Sequence, residues 1–127
     1  MRLLLDTHIF LWCIRDDSRL TKPTRTKIQQ ASEVYVSSAS IWEIQIKMNI
    51  KKLSGDIREV LQAIDQSNYL ELPITSQHVA VLSQLSDHHR DPFDRILIAQ
   101  ATFEPLTFLT ADAQLKKYSD LVELVDS

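Results

Sequence analysis

The feature that most constrains the fold is an apolar helix in the second half of the chain, within residues 88–101, HHRDPFDRILIAQA. Asp91 followed by Pro92 predicts a helix start. The carboxylate can accept from the free backbone N–H groups of the first turn, and proline has no backbone N–H that would need an acceptor there. Apolar residues then recur at helical spacing until little polar face is left: Phe93, Ile96, Leu97, Ile98, Ala99 and Ala101. Such a helix is predicted to lie inside the protein.

Two aspartates stand at the start of this helix. Asp94 falls on the first turn, three residues after Asp91, so the two carboxylates can lie close together. Taken alone, the pair is typical of helix capping, with an acid that suits the positive end of the helix dipole. A functional site is the alternative, and the rest of the chain favours it.

The remaining chain alternates short apolar strands with helices. The predicted strands are Arg2–Leu5, Glu33–Ser37, Tyr69–Leu72, Leu106–Thr110 and Leu121–Val125. The other predicted helices are Ile9–Ile14 capped by Thr7, Thr21–Ala31, a helix through Met48 capped by Ser38 or Ser40, Ile57–Ser67, Ser76–Leu85 and Ala113–Tyr118. This alternation predicts an α/β fold with a parallel sheet covered on both faces. With 127 residues and 44% hydrophobic content, we expect one domain spanning 1–127.

Cysteine content and hydropathy indicate the compartment. The single cysteine, Cys13, lies in an apolar run and is predicted to be a small buried hydrophobic residue in a reducing environment. The apolar start of the chain is interrupted by Asp6 and His8, and its longest uninterrupted run, Ile9–Ile14, is far shorter than a membrane span. We therefore expect a cytoplasmic protein with no membrane contact.

Four acids fall at the ends of predicted strands or on the helices that begin there: Asp6, Glu43, Asp94 and Asp112. Sites in open parallel sheets form at the carboxyl ends of the strands. Converging carboxylates repel one another and must share protons or bind a cation. Oxygen ligands without a Cys or His cluster suit Mg²⁺ or Mn²⁺ rather than zinc. An ion held in this way commonly serves phosphoryl chemistry.

Each of these acids also has a structural alternative. Asp6 could cap the following helix, and Asp112 could serve a turn after a strand. Glu43 is harder to explain structurally, because it stands in a run of large apolar residues and a buried acid without a partner is costly. Arg95, beside Asp94, could pair with a carboxylate or a phosphate.

The histidines and tryptophans give a weaker signal. The four histidines, His8, His78, His88 and His89, are scattered without the spacing of a metal site, so we expect them on the surface or in loops. Trp12 and Trp42 are predicted to be core residues rather than platforms for stacking bases.

Four segments of the chain resemble the PIN-domain ribonucleases, specifically the VapC-type toxins of bacterial toxin–antitoxin pairs. These segments are LLLDTH with the nearby Trp12, VSSASIWEIQIK, HRDPFDRILIAQA and LTAD. The resemblance implies that Asp6, Glu43, Asp94 and Asp112 are a metal-binding and catalytic quartet. It also implies supporting roles for Ser40, Thr7 and Thr110, and leaves Asp91 as a cap, a water holder or an extra ligand.

The resemblance further implies a three-layer α/β/α fold, a homodimer and an antitoxin partner. The predicted function is a metal-dependent endoribonuclease that acts as a toxin on RNA. The formal charge of −3 argues against nucleic-acid binding, but without the four acids it becomes +1. The alternatives are a DNA nuclease or phosphatase that uses the same carboxylates, and a catalytically silent protein-binding module of the same fold.

Overall fold

The structure is a computed structural model that describes residues 1–86 and 91–125. Two of the predicted loop histidines, His88 and His89, lie outside the described residues. The five strands are β1 (Arg2–Leu5), β2 (Glu33–Ser37), β3 (Leu70–Leu72), β4 (Thr107–Thr110) and β5 (Val122–Leu124). Every pairing between neighbouring strands is parallel, and the strand order is β3-β2-β1-β4-β5. The predicted parallel sheet is therefore confirmed.

The helices lie where the sequence pattern predicts them. The α-helices are α1 (Thr7–Ile14), α2 (Lys22–Gln30), α3 (Ser38–Asn49), α4 (Ile57–Gln66), α5 (Ser76–Val81) and α6 (Pro92–Phe103). Two short 3₁₀ helices, Leu82–Gln84 and Ala113–Tyr118, complete the set within the described residues. The single helix predicted over Ser76–Leu85 is therefore an α-helix that tightens into a 3₁₀ turn, as helix ends often do.

Two helices are capped one to three residues before Thr7 and before Ser38 or Ser40, and the structural alternative for Asp6, that it caps the following helix, is observed. Asp6, rather than Thr7, caps α1, and Ser37, rather than Ser38 or Ser40, caps α3. In both cases the preceding strand leads directly into the helix. The last extended residue then has the backbone conformation that an N-cap requires, so its side-chain oxygen accepts from the first helical N–H groups.

The core has two parts, one on each face of the sheet. Leu3 and Leu5 of β1 pack with one cluster, which also contains residues of α1, α2 and α4. Leu4 points to the opposite face and packs with the cluster that contains the buried residues of α6. Because side chains alternate along a strand, this division shows helices on both faces and confirms the three-layer α/β/α fold.

The interior helix predicted from residues 92–101 is confirmed in α6, where residues 96–101 are all buried. No helix within residues 1–86 and 91–125 has the length and apolar character needed to cross a membrane.

His78 and Trp42 contradict the sequence prediction. His78 is 1% exposed, with its Nδ1 accepting from the Thr75 N–H at 3.1 Å and its Nε2 2.5 Å from a carboxylate oxygen of Glu104. Its partner Glu104, the residue that follows α6, lies 26 residues away in the chain, so no local pattern predicts this burial. Trp42, expected in the core, is 61% exposed because the buried face of α3 is formed by Ala39, Ser40 and Ile44.

Candidate active site

Five acids line one pocket of about 250 Å³. Its complete lining in the described residues is Asp6, His8, Trp12, Glu43, Asp91, Asp94, Ala111 and Asp112. The pocket lies at the carboxyl ends of the strands, where the chain order reverses: β2 and β3 extend the sheet on one side of β1, and β4 and β5 on the other. Such a switch point leaves a crevice outside the strand ends, which is where open α/β sheets bind ligands.

Asp6 joins the two strands at this switch point. It follows β1 and is 5% exposed, and its backbone N–H donates to the carbonyl of Leu109 in β4 at 2.9 Å. Its carboxylate accepts from the Thr110 hydroxyl at 2.5 Å and from the Thr7 N–H at 2.7 Å. Burial nevertheless raises the pKa of Asp6, and these hydrogen bonds offset the effect only in part. A cation in the pocket would therefore relieve an unfavourable buried charge.

Glu43 is positioned through a buried contact between α1 and α3. The Thr7 hydroxyl donates to the Ser40 hydroxyl at 2.8 Å, and Glu43 follows Ser40 by about one turn of α3. The Glu43 side chain is 13% exposed and lies 3.2 Å from the ammonium of Lys47. Glu43 is thus not the unpartnered acid that the sequence suggested. The cation four residues later compensates its charge.

Asp91 and Asp94 both line the pocket, and Asp91 also caps α6. Its Oδ1 accepts from the Phe93 N–H at 2.9 Å and from the Asp94 N–H at 3.4 Å. The capping role predicted for Asp91 is confirmed, and the capping residue is at the same time a wall of the pocket. Asp94 is half-buried on the first turn of α6.

Asp112 also combines a local role with a place in the pocket. Its Oδ1 accepts from the Gln114 N–H at 3.0 Å and so caps the second 3₁₀ helix. Its backbone N–H donates to the Thr110 hydroxyl oxygen at 3.1 Å, and that hydroxyl donates onward to Asp6. Thr110 therefore connects two of the acids and fixes their separation.

Arg95 contacts a different part of the molecule. Its guanidinium donates to the carbonyls of Ser86 and Leu82, at 2.9 and 3.4 Å, and to the Tyr118 hydroxyl at 3.4 Å. It also lies 6.0 Å from the centroid of the Tyr118 ring. Among the residues the structure describes, Arg95 does not line the acidic pocket.

Two residues of the pocket, His8 and Trp12, are not among the site residues predicted from the sequence. His8 is exposed on α1 and lines the pocket together with Trp12. The two stand at positions i and i+4 of a helix that begins directly after Asp6, so helical spacing alone places both on one face. That spacing was the available signal.

A larger cleft of about 400 Å³ lies elsewhere, between Met1 and α2. Its lining in the described residues carries Lys27 and no carboxylate. It therefore offers no comparable set of ligands, and the smaller acidic pocket is the better candidate for a site.

The donor set of the acidic pocket fits a hard divalent cation, because carboxylate oxygens predominate and one of them is buried. As the side chains lie, however, no three His, Cys, Asp or Glu residues within 1–86 and 91–125 are arranged to enclose an ion. The observed contacts explain this arrangement: Lys47 holds Glu43, while backbone N–H groups hold Asp91 and Asp112. An ion that bound Glu43 would compete with Lys47 for its carboxylate.

The sequence model of the family described as PIN domain matches residues 3–121. A search of curated protein sequences finds no significant match. Three similar solved structures are VapBC2 from Rickettsia felis bound to a promoter DNA fragment, DNA-bound VapBC from Salmonella typhimurium, and FitAcB from Neisseria gonorrhoeae.

The first of these has a TM-score of 0.73 at 16% identity and covers 99% of this chain and 100% of its own. The second has a TM-score of 0.70 at 15% identity, covering 98% of this chain and 96% of its own. The third has a TM-score of 0.66 at 18% identity, with the same coverage as the second. At these identities the likeness shows the fold.

Proposed function

Because the chain belongs to the PIN domain family, we propose that it is a divalent-metal-dependent endoribonuclease and the toxin of a toxin–antitoxin pair. The observation that carries this proposal is the pocket at the switch point of the sheet, whose walls include five carboxylates. Carboxylates concentrated in this way can hold a cation, and the cation can in turn bind and polarise a phosphate group.

We assign Asp6, Glu43, Asp94 and Asp112 as the residues that hold the ion, which would be Mg²⁺ or Mn²⁺. When bound, the ion supplies a Lewis acid for the phosphate and lowers the pKa of a coordinated water. The supporting residues hold the carboxylates in place: Thr110 orients Asp6 and links it to Asp112, while Thr7 and Ser40 fix the helix that carries Glu43. Asp91 holds the first turn of α6, which carries Asp94.

The proposed biological role includes a protein partner. Two of the structural neighbours are VapBC complexes, which supports an antitoxin for this chain as well. A basic side chain of such a partner could enter the pocket and pair with its carboxylates, and so take the place of the metal. A homodimer and a cytoplasmic location belong to the same proposal.

A substrate panel tests the activity. The purified protein is incubated with single-stranded RNA, single-stranded DNA and a phosphomonoester, each with Mg²⁺, with Mn²⁺ and with a chelator. We expect internal cleavage of RNA only when the metal is present. Preferential cleavage of DNA or of the monoester would contradict the assignment of RNA as the substrate. A folded protein that neither binds metal nor cleaves any of the three would instead be a silent binding module.

A further inference from the structure

Two aromatic rings, those of Trp42 and Phe93, meet beside the acidic pocket. Their centroids are 5.3 Å apart at an interplanar angle of 69°, which is the edge-to-face arrangement that aromatic pairs favour. Trp42 stands directly before Glu43 on α3. Phe93 stands directly before Asp94 on the first turn of α6. The pair therefore joins the two helices next to two of the carboxylates that line the pocket.

The helices that carry these two carboxylates are anchored in different parts of the core. Ile44, which follows Glu43, is fully buried in the cluster that contains residues of α1, α2 and α4. The buried apolar residues of α6 belong to the cluster on the opposite face of the sheet, which α3 reaches with Ala39. The methyl group of Ala39 lets the helices come close, but so small a side chain makes few contacts. It cannot by itself fix α3 against α6 one turn later, at Glu43.

The two aromatic rings supply a contact at that point. Phe93 is half-buried and packs against the cluster that contains the apolar residues of α6. Its backbone N–H donates to Asp91 Oδ1 at 2.9 Å, so the ring stands on a capped helix turn. Trp42 is 61% exposed and adds little to the core, so what it gives α3 is the contact with Phe93. In the described part of the chain neither ring lines the pocket, so the pair acts on a bound ion only through the position of the helices.

We propose that the contact between Trp42 and Phe93 sets the distance between the two carboxylates that follow them in the chain, and with it the affinity of the site for its ion. Both aromatic residues are then positioning residues. This inference rests on the proposed function, because it takes Glu43 and Asp94 as ligands. Mg²⁺ demands oxygen ligands at about 2.1 Å in near-octahedral geometry, so a small shift of one helix against the other weakens binding.

Calorimetric titration with Mn²⁺ alone tests the inference, because no RNA or partner protein is present that Trp42 could contact instead. Trp42→Leu keeps apolar bulk but removes the aromatic edge. We expect it to weaken Mn²⁺ binding by roughly 10-fold, the lower end of what residues that orient metal ligands contribute. Trp42→Phe keeps an aromatic ring and should recover most of this loss. Equal dissociation constants for the wild type and Trp42→Leu would overturn the inference.

Ile50→Ala is the matched control. Ile50 is another exposed apolar residue of α3, at the C-terminal end of the helix and about two turns beyond Trp42. Its replacement removes apolar surface from the same helix but leaves the aromatic pair intact, so Mn²⁺ affinity should be unchanged. A loss as large as that of Trp42→Leu would show that any change in α3 weakens the site, and would reject a specific role of the pair.

A double variant decides whether the two rings act together. Phe93→Leu should weaken Mn²⁺ binding as much as Trp42→Leu does, and the double variant should bind no more weakly than either, because the same contact is lost in every case. Losses that multiply would show that the rings act independently, which contradicts the inference. Circular dichroism of each variant ensures that only folded proteins are compared.

The inference and the proposed function can fail separately. If the wild-type protein binds Mn²⁺ and cleaves RNA while Trp42→Leu binds Mn²⁺ equally well, the positioning role fails and the ribonuclease proposal stands. If Trp42→Leu shows the expected loss of Mn²⁺ affinity but the wild type cleaves no RNA, the positioning role stands and the ribonuclease proposal fails. A folded wild-type protein that binds no Mn²⁺ would refute both.

Discussion

At the scale of single residues, a capping role and a place in the acidic pocket coincide in the same carboxylates. Asp91 caps α6 and Asp112 caps a 3₁₀ helix, yet both also line the acidic pocket. The sequence presents capping and function as alternatives, because both roles place an acid where a strand or loop gives way to a helix. At the carboxyl edge of a parallel sheet, that position is also the rim of the crevice. One residue can therefore satisfy both requirements.

The two aspartates of α6 should respond differently to substitution. Asp94→Asn removes a charge that the ion needs, so we expect metal-dependent RNA cleavage to collapse while the apo fold is retained. Asp91→Asn should keep both the cap and most activity, because asparagine caps nearly as well as aspartate. Asp91→Ala should lower the free energy of unfolding by about 1 kcal/mol. Cleavage assays and urea unfolding of the three variants measure these effects. An active Asp94→Asn protein with reduced stability would return Asp94 to a capping role.

Lys47 should compete with the metal for Glu43, since its ammonium lies 3.2 Å from the Glu43 carboxylate. We expect Lys47→Met to tighten Mg²⁺ binding by up to about 5-fold, the range of a partly exposed ion pair. The measurement is a calorimetric titration. Lys52→Met, which removes the same charge from an exposed loop position, is the control. Equal affinities for the two variants would argue against competition at Glu43.

Contacts between residues can be predicted from the sequence where their spacing is local. The Glu43–Lys47 pair is an i, i+4 contact and could have been anticipated, as could the shared face of His8 and Trp12. The burial of His78 could not, because its partner Glu104 lies 26 residues away, just after the end of α6.

At the scale of elements, strand and helix positions follow from the sequence because strands buried on both faces are continuous apolar runs. β1 is the clearest case, with Leu3, Leu4 and Leu5 all fully buried between the two helical layers. The exact caps were less predictable. Where a strand leads directly into a helix, several hydroxyl or acidic residues follow one another. The cap is the one whose backbone is still extended, and the sequence does not show which residue that is.

The contact between α1 and α3 should be measurable as a coupling energy. Ser40→Ala leaves the buried Thr7 hydroxyl without its acceptor, and we expect a loss of about 1–3 kcal/mol in the free energy of unfolding. Thr7→Val leaves the Ser40 hydroxyl without the donor it accepts from, and we expect a loss of similar size. The double variant should lose less than the sum of the two, because no unpaired hydroxyl remains. A double-mutant cycle from urea unfolding tests this, and strictly additive losses would show that the hydroxyls act independently.

At the scale of the whole molecule, the strand order places the pocket. The sequence predicts that parallel strands end at one edge, but not that β1 and β4 are neighbours, which is a long-range pairing. That pairing brings Asp6 beside Thr110, 104 residues later in the chain, and creates the crevice between the two halves of the sheet. The candidate residues could thus be named from the sequence, whereas their connections could not.

Global stability should report the cost of burying the charge of Asp6. Because burial raises the pKa of Asp6, its charged form opposes folding near neutral pH, and a bound cation should offset this. We expect millimolar Mg²⁺ to raise the Tm of the wild-type protein. Asp6→Asn should have a higher Tm than the wild type without metal and should lose most of the response to Mg²⁺. Thermal melts of both proteins with and without metal provide the comparison; a metal response that survives in Asp6→Asn would place the ion elsewhere.

The central claim is that the acids at the switch point hold a divalent ion, and counting bound Mn²⁺ by electron paramagnetic resonance tests it most directly. The free-ion signal is followed while Mn²⁺ is added to the folded wild-type protein and to Asp94→Asn and Asp91→Asn. The account predicts saturable binding to the wild type and Asp91→Asn, and a large loss of affinity in Asp94→Asn. Equal Mn²⁺ binding by all three proteins, or no binding by the folded wild type, would contradict it.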